Sequence, residues 1–323
     1  MNVAILGAGG LGKAAAQIIS FKKEMKLVAI ADAGGVAIDA NGLDADEIAR
    51  VKIGGSVAEL AQGKESDDAI GEIIALGDKI DGVFIALPNL PNSFIPDVAR
   101  RFVQAGFKGV FCDALKRTRA MEMMFDLDDE FRAANCTYLT GCGATPGLLT
   151  AAAALAAQSF VEVEKVDIWW GVGIPNWDAY RATIREDIAH LPGHTVESAK
   201  AMSDTEIASL LDETDGKLTL HEMEHADDVM LERAGVISRD AVHVGGVMDT
   251  RSAQKPVSTT MTLTGKTFEG KTSTHKFVLG DETSMAANVC GTALGYLRRA
   301  HWLRERGLCG VFSSADMMPM VVK

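Results

Sequence analysis

The chain lacks clustered cysteines, a surplus of positive charge and any apolar run long enough for a membrane. Its five cysteines, Cys112, Cys136, Cys142, Cys290 and Cys309, include no Cys-x-x-Cys and no metal-type spacing. That argues against both a disulfide framework and a structural metal site. Scattered thiols in odd number suit a reducing compartment, and each reads as a small core residue. Lysine and arginine total 32 against 44 acids, for a formal net charge of −12. Nucleic-acid binding is driven largely by Lys and Arg neutralising phosphates, so this balance, with no basic stripe, predicts no such partner. The longest apolar run, residues 148–157, falls well short of the roughly 18–20 residues that cross a bilayer. The first residues enter an apolar strand without a charged leader, which predicts no signal peptide, no membrane partner and a cytoplasmic protein.

What is present begins at once. Residues 3–6 read as a buried strand, Gly7-x-Gly9-x-x-Gly12 follows, and residues 11–19 read as a helix. This is the context a dinucleotide fingerprint requires. Gly7 permits the tight turn, Gly9 lets the backbone approach a pyrophosphate, and Gly12 lets helix pack on strand. Gly10 and Leu11 complete the helix entry whose amides face the phosphates. A second strand, residues 27–31, ends in Asp32, at an offset of 32 − 12 = 20 residues from the last glycine. An acid there can accept from the adenosine ribose hydroxyls. Ala33-Gly34-Gly35 beside it offers no cation for a 2′-phosphate, which favours NAD and leaves NADP open.

With 323 residues the chain is expected to form two domains, since single cores tend to split beyond roughly 250–300 residues. Strand and helix alternate from residue 1 to about residue 113, which predicts a doubly wound parallel sheet of Rossmann type. Residues 81–87 are a continuous apolar run, the pattern of a strand buried on both faces. Leu87, Pro88, Asn89 and Asn92 then lie on the ligand edge, where the asparagines read either as nicotinamide-ribose partners or as turn residues. After the next strand, residues 109–114, Asp113 falls on the same edge. Lys116 follows, read either as a proton-transfer or carboxylate-binding group or as a solvated lysine. Residues 121–135 read as one helix. At Gly141-Cys142-Gly143-Ala144-Thr145-Pro146-Gly147, Thr145 reads as an N-cap with Pro146 at the first helical position. The same run, with Gly143, brings free amides to the ligand edge, where they suit a substrate carboxylate or the nicotinamide carboxamide.

From residue 161 the pattern alternates with period two, as in a sheet covered on one side. Residues 241–247, 257–265 and 272–279 read likewise, and residues 195–212 and 225–234 read as helices. The small-residue helix 284–299 returns to the first domain. The expected division is therefore 1–158 with 283–323 as the dinucleotide-binding domain. Residues 159–282 form an inserted α+β domain for substrate binding and homodimerisation.

The fingerprint, the Pro88-Asn89 loop, the Gly143-Ala144-Thr145-Pro146-Gly147 entry, the inserted β-rich domain and the terminal Arg306-Gly307-x-x-Gly310-Val311 together resemble the saccharopine reductase-like oxidoreductases, to which meso-diaminopimelate dehydrogenase is related. The resemblance implies hydride transfer between a nicotinamide and a carbon bearing nitrogen, in an amino acid or an opine-like secondary amine. Such a reaction needs a carboxylate clamp and a group that manages the amine proton. Residues 169–181 supply candidates, whose other reading is aromatic packing with surface arginines. Arg181 or Arg185 would grip a carboxylate, Asp178 an ammonium, and Trp177 and Tyr180 would exclude water. Among the histidines His194, in a loop-like stretch, is the candidate proton shuttle. His221-x-x-x-His225 has helical metal-ligand spacing without a third ligand, so no metal is expected. Two alternatives stay open, a reductase of carbonyl or sugar substrates with Lys116 as proton donor, and a non-catalytic NAD-binding sensor.

Overall fold

The structure, a computed structural model, describes residues 1–89, 91–174 and 184–323. In chain order the first part carries β1 (Asn2–Leu6), α1 (Gly10–Ser20), β2 (Lys26–Asp32), β3 (Gly35–Ile38), α2 (Ala45–Arg50), β4 (Gly63–Glu65), α3 (Ala69–Ile74), β5 (Gly82–Ile85), α4 (Phe94–Gln104) and β6 (Val110–Asp113). There follow α5 (Thr118–Phe125), α6 (Asp128–Ala133), β7 (Thr137–Thr140) and α7 (Leu148–Ala156). The second part carries β8 (Glu162–Gly173), α8 (Ile184–Ile188), α9 (Val196–Ala201), α10 (Asp204–Glu213), β9 (Lys217–Leu220), α11 (Asp227–Arg233), β10 (Val242–Asp249), β11 (Thr259–Lys266) and β12 (Thr272–Leu279). The chain closes with α12 (Met285–Arg304) and β13 (Gly310–Ser313).

The fold is α/β, a Rossmann-like sheet with a second, mixed sheet inserted. Two compact units divide it, Met1–Ala151 with Met285–Lys323, and Ala152–Ser284. The sheet of the first unit runs β13-β7-β6-β5-β1-β2-β3-β4. From β13 to β2 every pairing is parallel. Strands β5, β6 and β7 are buried at every residue, and β5 reads as an unbroken apolar run for that reason. The order reverses beside β1, and the crevice outside the strand ends at such a switch point is where α/β sheets bind ligands. Helix α12 buries Cys290, Ala293, Leu294, Gly295, Tyr296 and Leu297; it packs on β5, β6, β7 and α1, and its small residues permit the close approach.

Three differences from the sequence expectation have local causes. Strands β3 and β4 pair antiparallel, because only Ala33 and Gly34 connect β2 to β3, and a parallel return needs a dozen residues or more. The expected helix 121–135 divides into α5 and α6 at Leu127, which turns inward and is fully buried. The expected helix 195–212 divides into α9 and α10 because Ser203 starts a second capping box with Glu206, after that of Thr195 with Ser198.

The sheet of the second unit runs β12-β11-β8-β10-β9, with β8 and β10 parallel and its other pairs antiparallel. Along β11 buried and half-buried residues alternate, with Met261 and Leu263 on the covered face. Strand β9 is four residues of alternating exposure.

Candidate functional site

The entry to α1 is shaped by close backbone approaches that only glycine permits. Gly7 has φ +104°, and a Cβ there would stand 2.4 Å from the Ala86 carbonyl oxygen. A Cβ on Gly12 would stand 1.8 Å from the carbonyl oxygen of Gly7. Gly9 and Gly10 are different, since a Cβ on either would meet nothing within 4 Å. The N-cap Gly9 supplies no side-chain hydrogen bond, so no cap covers the first amides of this 11-residue helix. Open space in front of uncapped amides fits a pyrophosphate. Leu11 is half-buried behind them, and its carbonyl accepts from the Cys290 thiol at 3.3 Å.

Asp32 ends β2 in a half-buried position, but its carboxylate already serves protein donors. Oδ1 accepts from the Gly34 amide at 2.9 Å, the Gly35 amide at 3.2 Å and the Ser56 hydroxyl at 2.6 Å. Oδ2 accepts from the Val57 amide at 2.8 Å. With three donors on Oδ1 and one on Oδ2, only Oδ2 keeps a lone pair for the ribose hydroxyls expected at Asp32. What the sequence did not reveal is that residues 51–57 come back to this acid. The signal available was Ser56-x-x-Glu59, a capping box, which the structure shows at a 3-10 turn.

At the ends of β5, β6 and β7 three loops are tied together. Asn89 Oδ1 accepts from the Lys116 amide at 3.3 Å and Asn92 Oδ1 from Arg117 Nε at 3.1 Å. The two asparagines therefore join the loop after β5 to the loop after β6. Pro88 is exposed and Leu87 half-buried in the first of these loops. Asp113, expected among the cofactor contacts, is fully buried and cannot touch a ligand. Its carboxylate accepts from the Leu115 amide at 3.0 Å, the Gly141 amide at 2.7 Å, Tyr138 Oη at 2.8 Å and Thr140 Oγ1 at 2.9 Å. Burial pushes the carboxyl up from its ordinary value, against the four donors that pull it down. Burial, with the charge of Asp113 beside it, pushes the Tyr138 phenol up as well. Tyr138 and Thr140 stand two apart on β7 and so share a face, a period-two signal that was legible in the sequence. Lys116 is half-buried, with its backbone set between Asp113 and Asn89.

The 141–147 run is a closed loop rather than a helical cap. Helix α7 begins at Leu148, so Thr145 is not its N-cap and Pro146, after a cis peptide bond, is not in its first turn. Gly147 has φ +138°, and a Cβ on it would stand 1.8 Å from the Gly143 carbonyl oxygen. Its amide donates to Thr150 Oγ1 at 2.8 Å. Gly143 is buried and Thr145 half-buried.

In the second unit, Trp177, Asp178, Tyr180 and Arg181 lie outside the described residues. Arg185 is described, and two of its three guanidinium nitrogens, Nε and Nη2, bond within this unit. Nη2 donates to the Met202 carbonyl and to Asp204 Oδ1, both at 2.8 Å, fastening the end of α9 to the start of α10. His194 is half-buried before α9. The His221/His225 spacing is not helical, because α11 begins only at Asp227. His221 instead packs its ring 5.2 Å from Trp169. His225 holds Asp227 at 2.7 Å in a buried pair that sequence reading missed. Among the described residues no group of three or more His, Cys, Asp or Glu could hold a metal ion. No helix among them is long and apolar enough to cross a membrane.

Residues 1–114 match the family profile of glutamate/leucine/phenylalanine/valine dehydrogenases. Diaminopimelate dehydrogenase of C. glutamicum, in complex with diaminopimelate, superposes with a TM-score of 0.59 at 16% identity, covering 98% of this chain and 93% of that one. Saccharopine dehydrogenase (L-Glu forming) of Saccharomyces cerevisiae gives 0.55 at 12% identity, over 97% and 94%. These likenesses establish the fold. A much nearer relative is the (S)-8-amino-7-oxononanoate synthase BioU of Haloferax mediterranei, 46% identical over 348 aligned positions that cover 99% of each chain. At that identity over the whole length the sensor alternative falls away, and this chain, an enzyme, belongs to the BioU family.

Proposed function

We propose that this enzyme uses a nicotinamide dinucleotide to transfer hydride at a carbon bearing nitrogen, with (S)-8-amino-7-oxononanoate as the compound it forms or consumes. The observation that carries the reading is the entry to α1, where Gly9 and Gly10 leave open space before uncapped amides at the switch point of the sheet. The full-length likeness to BioU supplies the compound. Its name describes an amine beside a ketone and a terminal carboxylate, which suits chemistry at a C–N centre. The dinucleotide, when bound, supplies the hydride. Gly9 to Gly12 hold the pyrophosphate. Asp32, with Ala33 and Gly34 beside it and no cation among them, disfavours a 2′-phosphate, which supports NAD over NADP. Lys116, on a loop fixed by Asp113 and Asn89, manages the proton of the reacting amine or carbonyl. An assembly of two copies is supported by β12, an edge strand exposed at every residue but Leu279.

The test uses reduced nicotinamide deuterated at C4, with the nine-carbon amino ketone and a donor amine. The expected result is deuterium at the carbon that carries nitrogen in the product. Lys116→Met should lower kcat about a hundredfold with dinucleotide affinity unchanged. Deuterium recovered only in an alcohol would favour the carbonyl-reductase reading, and dinucleotide binding without any hydride exchange would contradict both.

A further inference from the structure

Residues 51–57 are held beside the dinucleotide crevice from two sides. From β2, Asp32 accepts from the Ser56 hydroxyl and the Val57 amide, and from α1, Lys13 Nζ donates to the Val51 carbonyl. Lys13 stands in the first turn of α1, directly after the fingerprint. The segment therefore bridges the two elements between which the adenosine half of a dinucleotide lies in this fold. Contact with the β2–β3 turn is close, since a Cβ on Gly34 would stand 2.6 Å from Ser56 Oγ. Ser56 and Glu59 close a capping box beyond it, so the base of the segment is rigid. The tip is different. Lys52, Ile53 and Gly54 are exposed, and Gly54 has φ +82° with nothing within 4 Å of a Cβ position. Ile53, at this tip, is 63% exposed.

We infer that residues 51–57 form the wall that holds the adenosine half of the cofactor, that Ile53 covers the adenine, and that Asp32 and Lys13 are positioning residues for this wall rather than ligands of the ribose or phosphates. The inference rests on the nicotinamide-dinucleotide reading proposed above. It explains why Asp32 carries four protein donors, three on Oδ1 and one on Oδ2, and it gives the exposed isoleucine an apolar partner in the purine ring. Covering a purine with one aliphatic side chain contributes about tenfold in affinity.

The experiment compares reduced NAD with reduced nicotinamide mononucleotide, which lacks the adenosine half, by direct calorimetric binding to the full chain. Thermal denaturation of the free protein is measured in parallel. Ile53→Ser should weaken reduced NAD about tenfold, leave the mononucleotide unchanged and leave the melting temperature of the free protein unchanged. Ser56→Ala should also weaken only the dinucleotide, because it frees an acceptor on Asp32 but loosens the wall. If Asp32 were itself the ribose ligand, Ser56→Ala would leave dinucleotide binding unchanged or tighten it, and that result overturns the inference. Equal loss for both ligands, or no loss in Ile53→Ser, overturns it as well. If the wild-type chain binds neither reduced NAD nor the mononucleotide, the proposed function fails and takes the inference with it. Wild-type binding with unchanged variants removes the inference alone.

Discussion

The ends of β2 and β6 present the same device in two settings. Each strand closes on an aspartate, Asp32 or Asp113, and each carboxylate accepts from four protein donors. Asp113 is sealed, and its donors come from the neighbouring strand and the loops that follow β6 and β7. Asp32 is half-buried, and its donors come from its own turn and from a segment more than twenty residues away. The sealed acid fixes the loop that carries Lys116. The half-open one fixes a surface wall. In both, the acid at the strand end accepts from backbone amides and hydroxyls and so fixes the loops around it.

The largest expected break in this pairing is Asp113→Ala, which strands two buried hydroxyls and two amides at once. Unsatisfied buried groups cost about 1–3 kcal/mol each before relaxation, so a loss of roughly 3–5 kcal/mol in urea unfolding is expected. A loss below about 1 kcal/mol would show that water replaces the carboxylate. Asp32→Ala should cost less, about 1–2 kcal/mol, because solvent reaches its partners. Equal losses at the two sites would erase the distinction between them. Arg185→Met, away from either acid, should cost roughly 1 kcal/mol for the lost carbonyl and carboxylate bonds and change the substrate KM less than threefold. A hundredfold rise in KM would restore its role as a clamp.

The smallest effect is one of pH. Because burial raises the Asp113 carboxyl above its ordinary value of 3.8, the unfolded chain ionises first as pH rises. The stability this group contributes is full below 3.8 and is lost as pH rises through the raised folded value. The stability of the wild type minus that of Asp113→Asn should therefore fall with rising pH across that interval. A difference that grows with pH would mean the four donors outweigh burial.

The fold was legible where one chemical requirement dominates. Strands buried on both faces read as continuous apolar runs, and the glycines at positions 7 and 12 mark approaches that no side chain fits. Legibility ended where long-range partners decide. Nothing local to Asp32 shows that Ser56 and Val57 return to it, and nothing local to Arg185 shows the Met202 carbonyl awaiting it. The antiparallel return of β3 was readable in principle from its two-residue connection, but the alternation of strand and helix suggested another parallel crossover. At Thr145 the local cap chemistry was plausible by composition. Gly147, folding back on Gly143, moved the start of α7 beyond it.

Amide hydrogen exchange at Gly34, Gly35 and Val57, in wild type and Asp32→Ala without any cofactor, tests the central claim most directly. The account predicts that these three amides are protected in the free wild-type protein and exchange freely in the variant, because the carboxylate holds the wall before any ligand arrives. Unchanged protection in the variant, accompanied by weaker dinucleotide binding, would contradict it and return Asp32 to the ribose.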